Sequence, residues 1–153
     1  MNAEPAFGGG VFIADKSVWA RADQASLQEE WARALRNGQI ATCRVNSIEL
    51  LYSARSGKEF AELEEELTAL RNFPTTDSVC RAAVTALREL ASVSDGFHRV
   101  KPPDALIAAC AQEAGVGVLH YDHDFDRLAT VMNFTSRWIA SAGTLDRDPD
   151  RRA

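Results

Sequence analysis

Short apolar runs alternate with longer amphipathic stretches along most of this chain, and this alternation is what most constrains its fold. Residues 11–14, 39–44 and 116–121 are apolar runs with the length of buried strands. The stretches between them, such as residues 58–70, place apolar side chains on one helical face. Strands that alternate with helices predict an α/β fold. We therefore expect a three-layer α/β/α sandwich around a mainly parallel sheet of four to five strands.

Capping signals indicate where the helices begin and end. Asn46, with Glu49 three residues later, predicts a capping box for the helix after the second strand. Prolines 102 and 103 with Asp104 predict the start of another helix, and Gly115 predicts its end. The full prediction places strands at residues 11–14, 39–44, 73–74, 116–121 and 135–139, and helices at residues 17–22, 25–37, 46–55, 58–70, 76–94, 102–114 and 124–132.

The helical periodicity also predicts which side chains form the core. In the helix that follows the second strand, Ile48, Leu51 and Tyr52 are expected to face inward. In the next helix, the same is expected of Phe60 and Leu67. One folded domain is predicted over residues 10–140, because 153 residues is the length of a single domain. The glycine-rich residues 1–9 and the charged residues 146–153 are predicted to be flexible termini.

Charge and cysteine content narrow the class of protein. With 22 acidic and 17 basic residues, the net charge is −5, which argues against a general polyanion-coating protein. A nuclease is still compatible, because acids that hold a metal make a chain acidic. No apolar run approaches the roughly 20 residues that span a bilayer, and the start of the chain lacks the basic segment of a secretory signal. We therefore expect a cytoplasmic protein whose cysteines, Cys43, Cys80 and Cys110, are buried reduced thiols.

Five acidic residues are expected to converge at the carboxyl edge of the sheet. Asp15 ends the first strand, Asp122 and Asp124 follow the strand at residues 116–121, and Asp104 and Glu49 begin helices. Clustered carboxylates raise each other's pKa, so they favour a bound cation. Oxygen ligands suit Mg²⁺ or Mn²⁺, and such a cluster fits two-metal hydrolysis of a phosphodiester. Taken singly, Asp15 could be a helix cap, and Asp104 and Glu49 could be acids that complement a helix dipole.

Four segments of the chain together resemble PIN-domain ribonucleases, most closely the VapC-type toxins of bacterial toxin–antitoxin pairs. They are FIADKSVWAR, NSIELLYSAR, KPPDALIAACAQEAGVGVLHYDHDFDRLA and the closing strand, in the family's order over residues 10–140. Lys16 and His120 depart from the family pattern, since threonine is commoner at both positions. Neither departure removes a carboxylate. The resemblance implies a PIN-like fold and the internal hydrolysis of RNA with Mg²⁺ or Mn²⁺.

The resemblance also implies roles for individual residues and partners. It implies catalytic roles for Asp15, Glu49, Asp104 and Asp122, metal ligation by Asp15, Asp104, Asp122 and Asp124, and support of the first acid by Ser17. A cognate VapB-type antitoxin is implied as inhibitor. A homodimer is implied as well, with the helices within residues 25–70 as its candidate interface and residues 58–70 as a wall of the antitoxin groove.

Several side chains near the acids allow more than one interpretation. Arg99 and Lys16 are candidates for contacts with an RNA phosphate, although both also fit a solvated surface. His120 is expected to pack within its strand and His123 to lie on the surface. The tryptophans that flank the acidic segments, Trp19 and Trp138, are expected in the core, with Trp19 also a candidate to stack on a base.

Two other functions are compatible with parts of the pattern. A haloacid-dehalogenase-type phosphatase also uses an Asp after its first strand, but it normally carries a second Asp two residues later. This chain has Ser17 at that position, which counts against the phosphatase. A catalytically silent binding module would use the acids only to dock a basic partner, and the intact set of acids gives no sign of a decayed site.

Overall fold

Five parallel strands form one sheet at the centre of the protein. The computed structural model describes residues 4–145, and the predicted flexible segment 146–153 and residues 1–3 lie outside that range. The spatial order is β3-β2-β1-β4-β5, and every neighbouring pair is parallel. This confirms the predicted parallel sheet. The strands are β1 (Phe12–Ala14), β2 (Ile40–Cys43), β3 (Arg71–Phe73), β4 (Gly117–His120) and β5 (Ser136–Trp138).

Helices cover both faces of the sheet, as a parallel sheet requires. Successive strand residues alternate between two separate hydrophobic cores: Ile13 belongs to one and Ala14 to the other. The first core contains side chains of α5, α6 and α7, and the second contains side chains of α2. The predicted three-layer sandwich is therefore confirmed. The helices are α1 (Lys16–Trp19), α2 (Gln28–Arg36), α3 (Arg44–Tyr52), α4 (Gly57–Thr68), α5 (Asp77–Val93), α6 (Pro102–Ala114) and α7 (His123–Ala129).

The topology brings two strand ends together at the point where functional sites of α/β proteins form. β1 pairs with β2 on one side and with β4 on the other. The chain therefore continues from β1 to β2 and β3 on one side of β1, and then crosses to β4 and β5 on the other side of β1. The carboxyl ends of β1 and β4 meet at this switch point, where a crevice is expected. Asp15 follows β1 directly, and Asp122 follows β4 by two residues.

The start of α3 differs from the predicted capping box. The helix begins at Arg44, and Asn46 is completely buried inside it. The Asn46 side-chain amide donates to the Ala14 carbonyl, 2.8 Å away, so it binds the end of β1 instead of capping a helix. Glu49 consequently lies in the second turn of α3. The predicted inward faces are also wrong for Ile48 and Tyr52 of α3 and for Phe60 of α4, which are 66%, 90% and 41% exposed.

The amino-terminal segment packs more closely than predicted. Ala6 and Phe7 are buried in the second core, although residues 1–9 are predicted to be flexible. The Gln39 side chain accepts a hydrogen bond from the Ala6 amide at 2.9 Å and donates to the Ala6 and Gly10 carbonyls. A single phenylalanine among glycines has no periodicity, so the pattern could not reveal this contact.

Two of the three cysteines are buried. Cys43 and Cys110 are buried as predicted, but Cys80 is exposed on α5, which corrects the prediction for that residue. Cys80 lies four residues from the exposed Val84 on the outer side of the helix.

Within residues 4–145, none of the helices combines the length and the apolar character needed to cross a membrane.

Candidate active site

Asp15 lies at the end of β1, where it caps α1. Its Oδ2 accepts hydrogen bonds from the Ser17 backbone amide at 3.1 Å and from the Ser17 hydroxyl at 2.6 Å. The same hydroxyl accepts a bond from the Tyr121 amide at 2.9 Å, so it links the ends of β1 and β4. Asp15 is 1% exposed, and its Oδ1 is buried without a hydrogen-bond partner. The sequence alternative of a helix cap is thus correct, but the cap uses only one of the two carboxylate oxygens.

Asp104 lies in the first turn of α6, immediately behind the strand ends. Prolines occupy the first two positions of this helix, which fixes the backbone where Asp104 enters the site. Asp104 is 1% exposed, although it is an ionisable residue. Its Oδ2 is buried and accepts no hydrogen bond; the Lys101 ammonium is the nearest cation, at 3.8 Å. A buried carboxylate oxygen without a partner is costly unless a proton or a cation satisfies it.

Asp122 and Asp124 occupy the turn between β4 and α7. Asp122 caps α7 through a 2.9 Å bond from the Asp124 amide to its Oδ1. The Lys101 ammonium binds Asp122 Oδ2, and the Lys101 backbone amide donates to Asp124 Oδ2 at 3.1 Å. Lys101 therefore joins the loop before α6 to both acids. Lys101 is not among the residues that the sequence predicts for the site, although its position just before the prolines that start the Asp104 helix is a usable signal.

Glu49 reaches the same site from α3. Its Oε2 forms a 3.0 Å ion pair with the Lys16 ammonium, and its Oε1 is buried without a hydrogen-bond partner. The Lys16 ammonium, just after the end of β1, is therefore paired with the Glu49 carboxylate. The five predicted acids thus all lie at the carboxyl edge of the sheet, with a lysine at each end of the cluster.

The acids form two groups whose oxygens are close enough to share a cation. Asp15, Glu49 and Asp104 offer ligand atoms that all lie within 4.8 Å of one another, and so do Asp104, Asp122 and Asp124. Asp104 belongs to both groups. The partnerless oxygens of Asp15, Glu49 and Asp104 are hard donors suited to Mg²⁺ or Mn²⁺. The residues present therefore fit a divalent metal.

Burial and mutual repulsion control the protonation of the acids. Burial, followed by the charges of Asp15 and Asp122, raises the pKa of Asp104 to about 8. Burial also raises the pKa of Asp15, although the Ser17 hydrogen bonds oppose the change. For Asp122, burial alone would raise the pKa, but the bonds from Lys101 and the Asp124 amide outweigh it and lower the pKa. Without a cation, the raised pKa of Asp104 places a proton on this carboxyl at neutral pH.

The raised pKa of Asp104 predicts how the stability of the metal-free protein depends on pH. In the unfolded chain this carboxyl titrates near 3.8, whereas in the folded protein its pKa is about 8. Between these values the folded state holds a proton that the unfolded chain has released, so the free energy of unfolding falls as pH rises. The raised pKa of Asp15 acts in the same direction.

We therefore expect the melting temperature of the metal-free protein to fall from about pH 6.5 to about pH 8, because below this interval the lowered pKa of the buried His120 acts in the opposite direction. Thermal unfolding with a chelator present measures this slope, and Asp104→Asn is expected to remove most of it. The exposed acid of the same helix offers the control, because Glu113→Gln is expected to keep the slope. A melting temperature that rises across this interval would contradict the assignment.

Other sequence candidates lie at the margin of the acidic cluster. Arg99 is exposed in the loop before α6, and Lys16 is 47% exposed in its side chain despite its pairing. His120 is fully buried within β4, as expected, and burial lowers its pKa to about 4. Trp19 packs edge-on against Trp31 in the second core, with ring centroids 5.1 Å apart. Both Trp19 and Trp31 thus support the fold next to the site.

Known proteins with similar sequences include several ribonucleases. The family model described as PIN domain matches residues 12–131. The chain is 38% identical over 136 residues to Ribonuclease VapC18 of Mycobacterium tuberculosis, covering 88% of this chain and 99% of that protein. It is 35% identical over 135 residues to Ribonuclease VapC51 of the same species, covering 88% and 97%. Each similarity spans nearly the whole of the known protein.

Solved structures show a similar fold. A member of the VapBC family from Mycobacterium tuberculosis, VapBC-5, has a chain that matches with a TM-score of 0.63 and 24% identity, over 85% of this chain and 99% of that chain. DNA-bound VapBC from Salmonella typhimurium matches with a TM-score of 0.70 and 18% identity, over 86% and 100%. At these identities the likeness concerns the architecture of the domain.

Proposed function

The chain belongs to the PIN-domain family, and from this premise we propose that it is a metal-dependent endoribonuclease of the VapC toxin type. One observation carries the proposal: Asp15, Glu49 and Asp104 offer carboxylate oxygens within 4.8 Å of one another at the switch point of the sheet, and each of the three has a buried oxygen without a hydrogen-bond partner. Asp122 and Asp124 complete the cluster. Mg²⁺ or Mn²⁺ is the proposed cofactor, and a phosphodiester bond within an RNA strand is the proposed substrate.

A divalent cation at this site would lower the pKa of the attacking water and stabilise the leaving oxygen. The chain's own part is positioning and charge. Ser17 holds Asp15 in one orientation, and the prolines of α6 fix the backbone at Asp104. The acids are proposed to place the cations, with Asp104 common to both groups. Exposed cations beside the crevice, Lys16 and Arg99, are proposed to attract the RNA phosphates.

The substrate backbone needs a cationic approach, because the cluster itself is acidic. Lys16 pairs with Glu49, and Lys101 binds Asp122 and lies within 3.9 Å of two further acids of the cluster, while each lysine keeps about half of its side chain exposed. They therefore reduce the repulsion that an approaching phosphate would meet. The contact between Ser17 and Asp15 counts against the phosphatase alternative. The Ser17 hydroxyl binds Asp15 at the position where that class of enzyme carries a second carboxylate.

A VapB-type antitoxin is the proposed inhibitor, and an apolar surface on α3 and α4 is its proposed docking site. This surface, called here the α3–α4 surface, contains Ile48, Tyr52 and Phe60, which are 66%, 90% and 41% exposed. Large apolar side chains exposed on adjacent helices are typical of protein interaction sites. One solved structure with this fold is described as a member of the VapBC family of toxin–antitoxin systems, and another as a toxin–antitoxin complex from Klebsiella pneumoniae. A homodimer through the helices within residues 25–70 is proposed as well, and the cytoplasm is the proposed site of action.

Cleavage of total RNA by the purified protein tests the proposed activity. We expect discrete fragments with Mg²⁺ or Mn²⁺ and intact RNA with EDTA or with the Asp15→Ala variant. The control variant Glu89→Ala removes an exposed acid from α5 and is expected to cut like the wild type. Fragments that persist with EDTA, or that Asp15→Ala produces at the wild-type rate, would contradict a carboxylate-bound metal.

A further inference from the structure

Trp138 lies beside the acidic cluster. The sequence predicts it in the core, but its side chain is only partly buried. It ends β5, where it pairs in register with His120 of the neighbouring strand. Asp122 follows His120 by two residues, so the indole is one strand away from the chain that enters the cluster, or about 5 Å. Trp138 is only partly buried, and an open depression of about 630 Å³ extends over it. His123, Asp126 and Ala140 contribute to the lining of this depression.

Trp138 is at the centre of a group of aromatic rings. The centroid of the exposed His123 ring lies 4.9 Å from that of Trp138, with an interplanar angle of 68°. The rings of His120 and Tyr121 approach Trp138 edge-on from within the protein, at 5.0 and 5.5 Å. The buried rings support the indole, and His123 flanks its solvent side. An indole held in this way presents a rigid apolar surface at the edge of the crevice.

A chain of hydrogen bonds fixes the orientation of the indole. The Trp138 Nε1–H donates to Asp126 Oδ2 at 2.8 Å, and the Ser136 hydroxyl donates to Asp126 Oδ1 at 2.9 Å. Because that hydroxyl hydrogen is used, His120 Nε2 is the donor in its 2.7 Å bond to Ser136 Oγ. His120 Nδ1 then accepts from the Asp122 amide at 3.2 Å. This assignment requires a neutral His120, in agreement with its lowered pKa. Four hydrogen bonds, which run through Asp126, Ser136 and His120, thus connect the indole to the backbone of Asp122.

From this geometry we infer that Trp138 and His123 form a stacking site for one nucleobase of a single-stranded RNA bound across the acidic cluster. The inference rests on the proposed ribonuclease function and adds a substrate-positioning site to it. The depression is lined by one acid, Asp126, and one cation, Arg137, so its charges balance and its aromatic rings make a base the group that fits it best. The indole N–H is already bound to Asp126, which leaves the ring face as the recognition element. Stacking of this kind accepts every base and holds the strand in place.

Binding of short RNA to an inactive protein tests the stacking site separately from catalysis. The parent is Asp104→Ala, the probes are labelled 12-nucleotide oligoadenylate and oligouridylate, and fluorescence anisotropy gives the dissociation constants. Adding Trp138→Ala is expected to weaken binding roughly 5- to 150-fold. The loss is expected to be larger for oligoadenylate, because a purine offers the larger ring. Trp138→Phe keeps a ring for stacking and is expected to retain most of the affinity.

Controls and outcomes separate this inference from the proposed activity. Val84→Ala, which trims an exposed apolar side chain on α5, is expected to bind RNA like the parent. Equal affinity of the parent and the Trp138→Ala variant, absence of RNA binding by the parent, or equal losses for Trp138→Phe and Trp138→Ala would each overturn the stacking site. If the wild type cuts no RNA but Trp138→Ala still weakens binding while Trp138→Phe does not, the stacking site is supported and the proposed activity fails.

Discussion

Asp104→Asn is expected to abolish RNA cleavage while making the metal-free protein more stable. Asparagine keeps the size of the side chain but cannot carry the negative charge that both acidic groups share. Loss of an outer contact at a metal site typically costs about 10- to 100-fold in activity, so loss of a shared ligand is expected to cost at least about 100-fold. The stability gain follows because folding of the wild type must either bury the charge of Asp104 or bind a proton there, and asparagine requires neither.

Two measurements check this result in the same sample. Cleavage of RNA with Mg²⁺ measures activity, and thermal unfolding at about pH 8 with and without Mg²⁺ measures stability. The wild type is expected to gain stability from the cation by mass action, and Asp104→Asn to gain much less. Glu113→Gln, on the same helix but exposed, is expected to resemble the wild type in both assays. An Asp104→Asn variant that cuts RNA at the wild-type rate would remove Asp104 from the proposed machinery.

Phe125→Ala is expected to cause the largest loss of stability, and to disturb the site as a result. Phe125 is completely buried on α7 and stacks on His120, with ring centroids 5.0 Å apart at 30°. Removing a buried phenylalanine ring typically costs about 3–5 kcal/mol. A helix of seven residues is not stable alone, so α7 depends on the packing of Phe125 and Leu128. Asp122 and Asp124 begin this helix and would lose their fixed positions.

Urea unfolding gives the free energy, and a thermal scan is expected to show a melting temperature lower by roughly 6–20 °C. Phe125→Leu keeps an apolar side chain in the cavity and is expected to lose much less of both stability and activity. A change below about 1 kcal/mol for Phe125→Ala would show that α7 is held by other contacts. The position of Asp122 would then have to be explained without Phe125.

The strands and the acids were accessible from the sequence because both depend on local patterns. Short apolar runs gave β1, β2 and β4, and acids directly after such runs gave Asp15 and Asp122. The parallel topology then brings these acids to one edge wherever the strands are neighbours. The cluster could therefore be predicted without any knowledge of side-chain contacts.

Features that depend on contacts between distant segments were not accessible. Asn46 has the sequence environment of a helix cap, but its amide binds the Ala14 carbonyl, 32 residues away. The helix α3 begins at Arg44, before Asn46, and Ile48 and Tyr52 are exposed. Trp138 is predicted in the core, as is usual for a large apolar side chain. An isolated tryptophan near the end of a strand does not reveal which side chain will accept a hydrogen bond from its indole. Its hydrogen bond to Asp126 becomes visible only in the folded protein.

Lys16 and Lys101 supply the acidic cluster with two counter-ions of its own, one at each end. Together with the proton on Asp104, they relieve much of the repulsion that would otherwise oppose assembly of the site. Small zinc domains, in contrast, remain unfolded until their ion arrives. We therefore expect a newly synthesised chain to complete its fold first and to acquire the proposed cations afterwards. Under this proposal, maturation of the protein and its activation become separate events, and the supply of metal governs only the second.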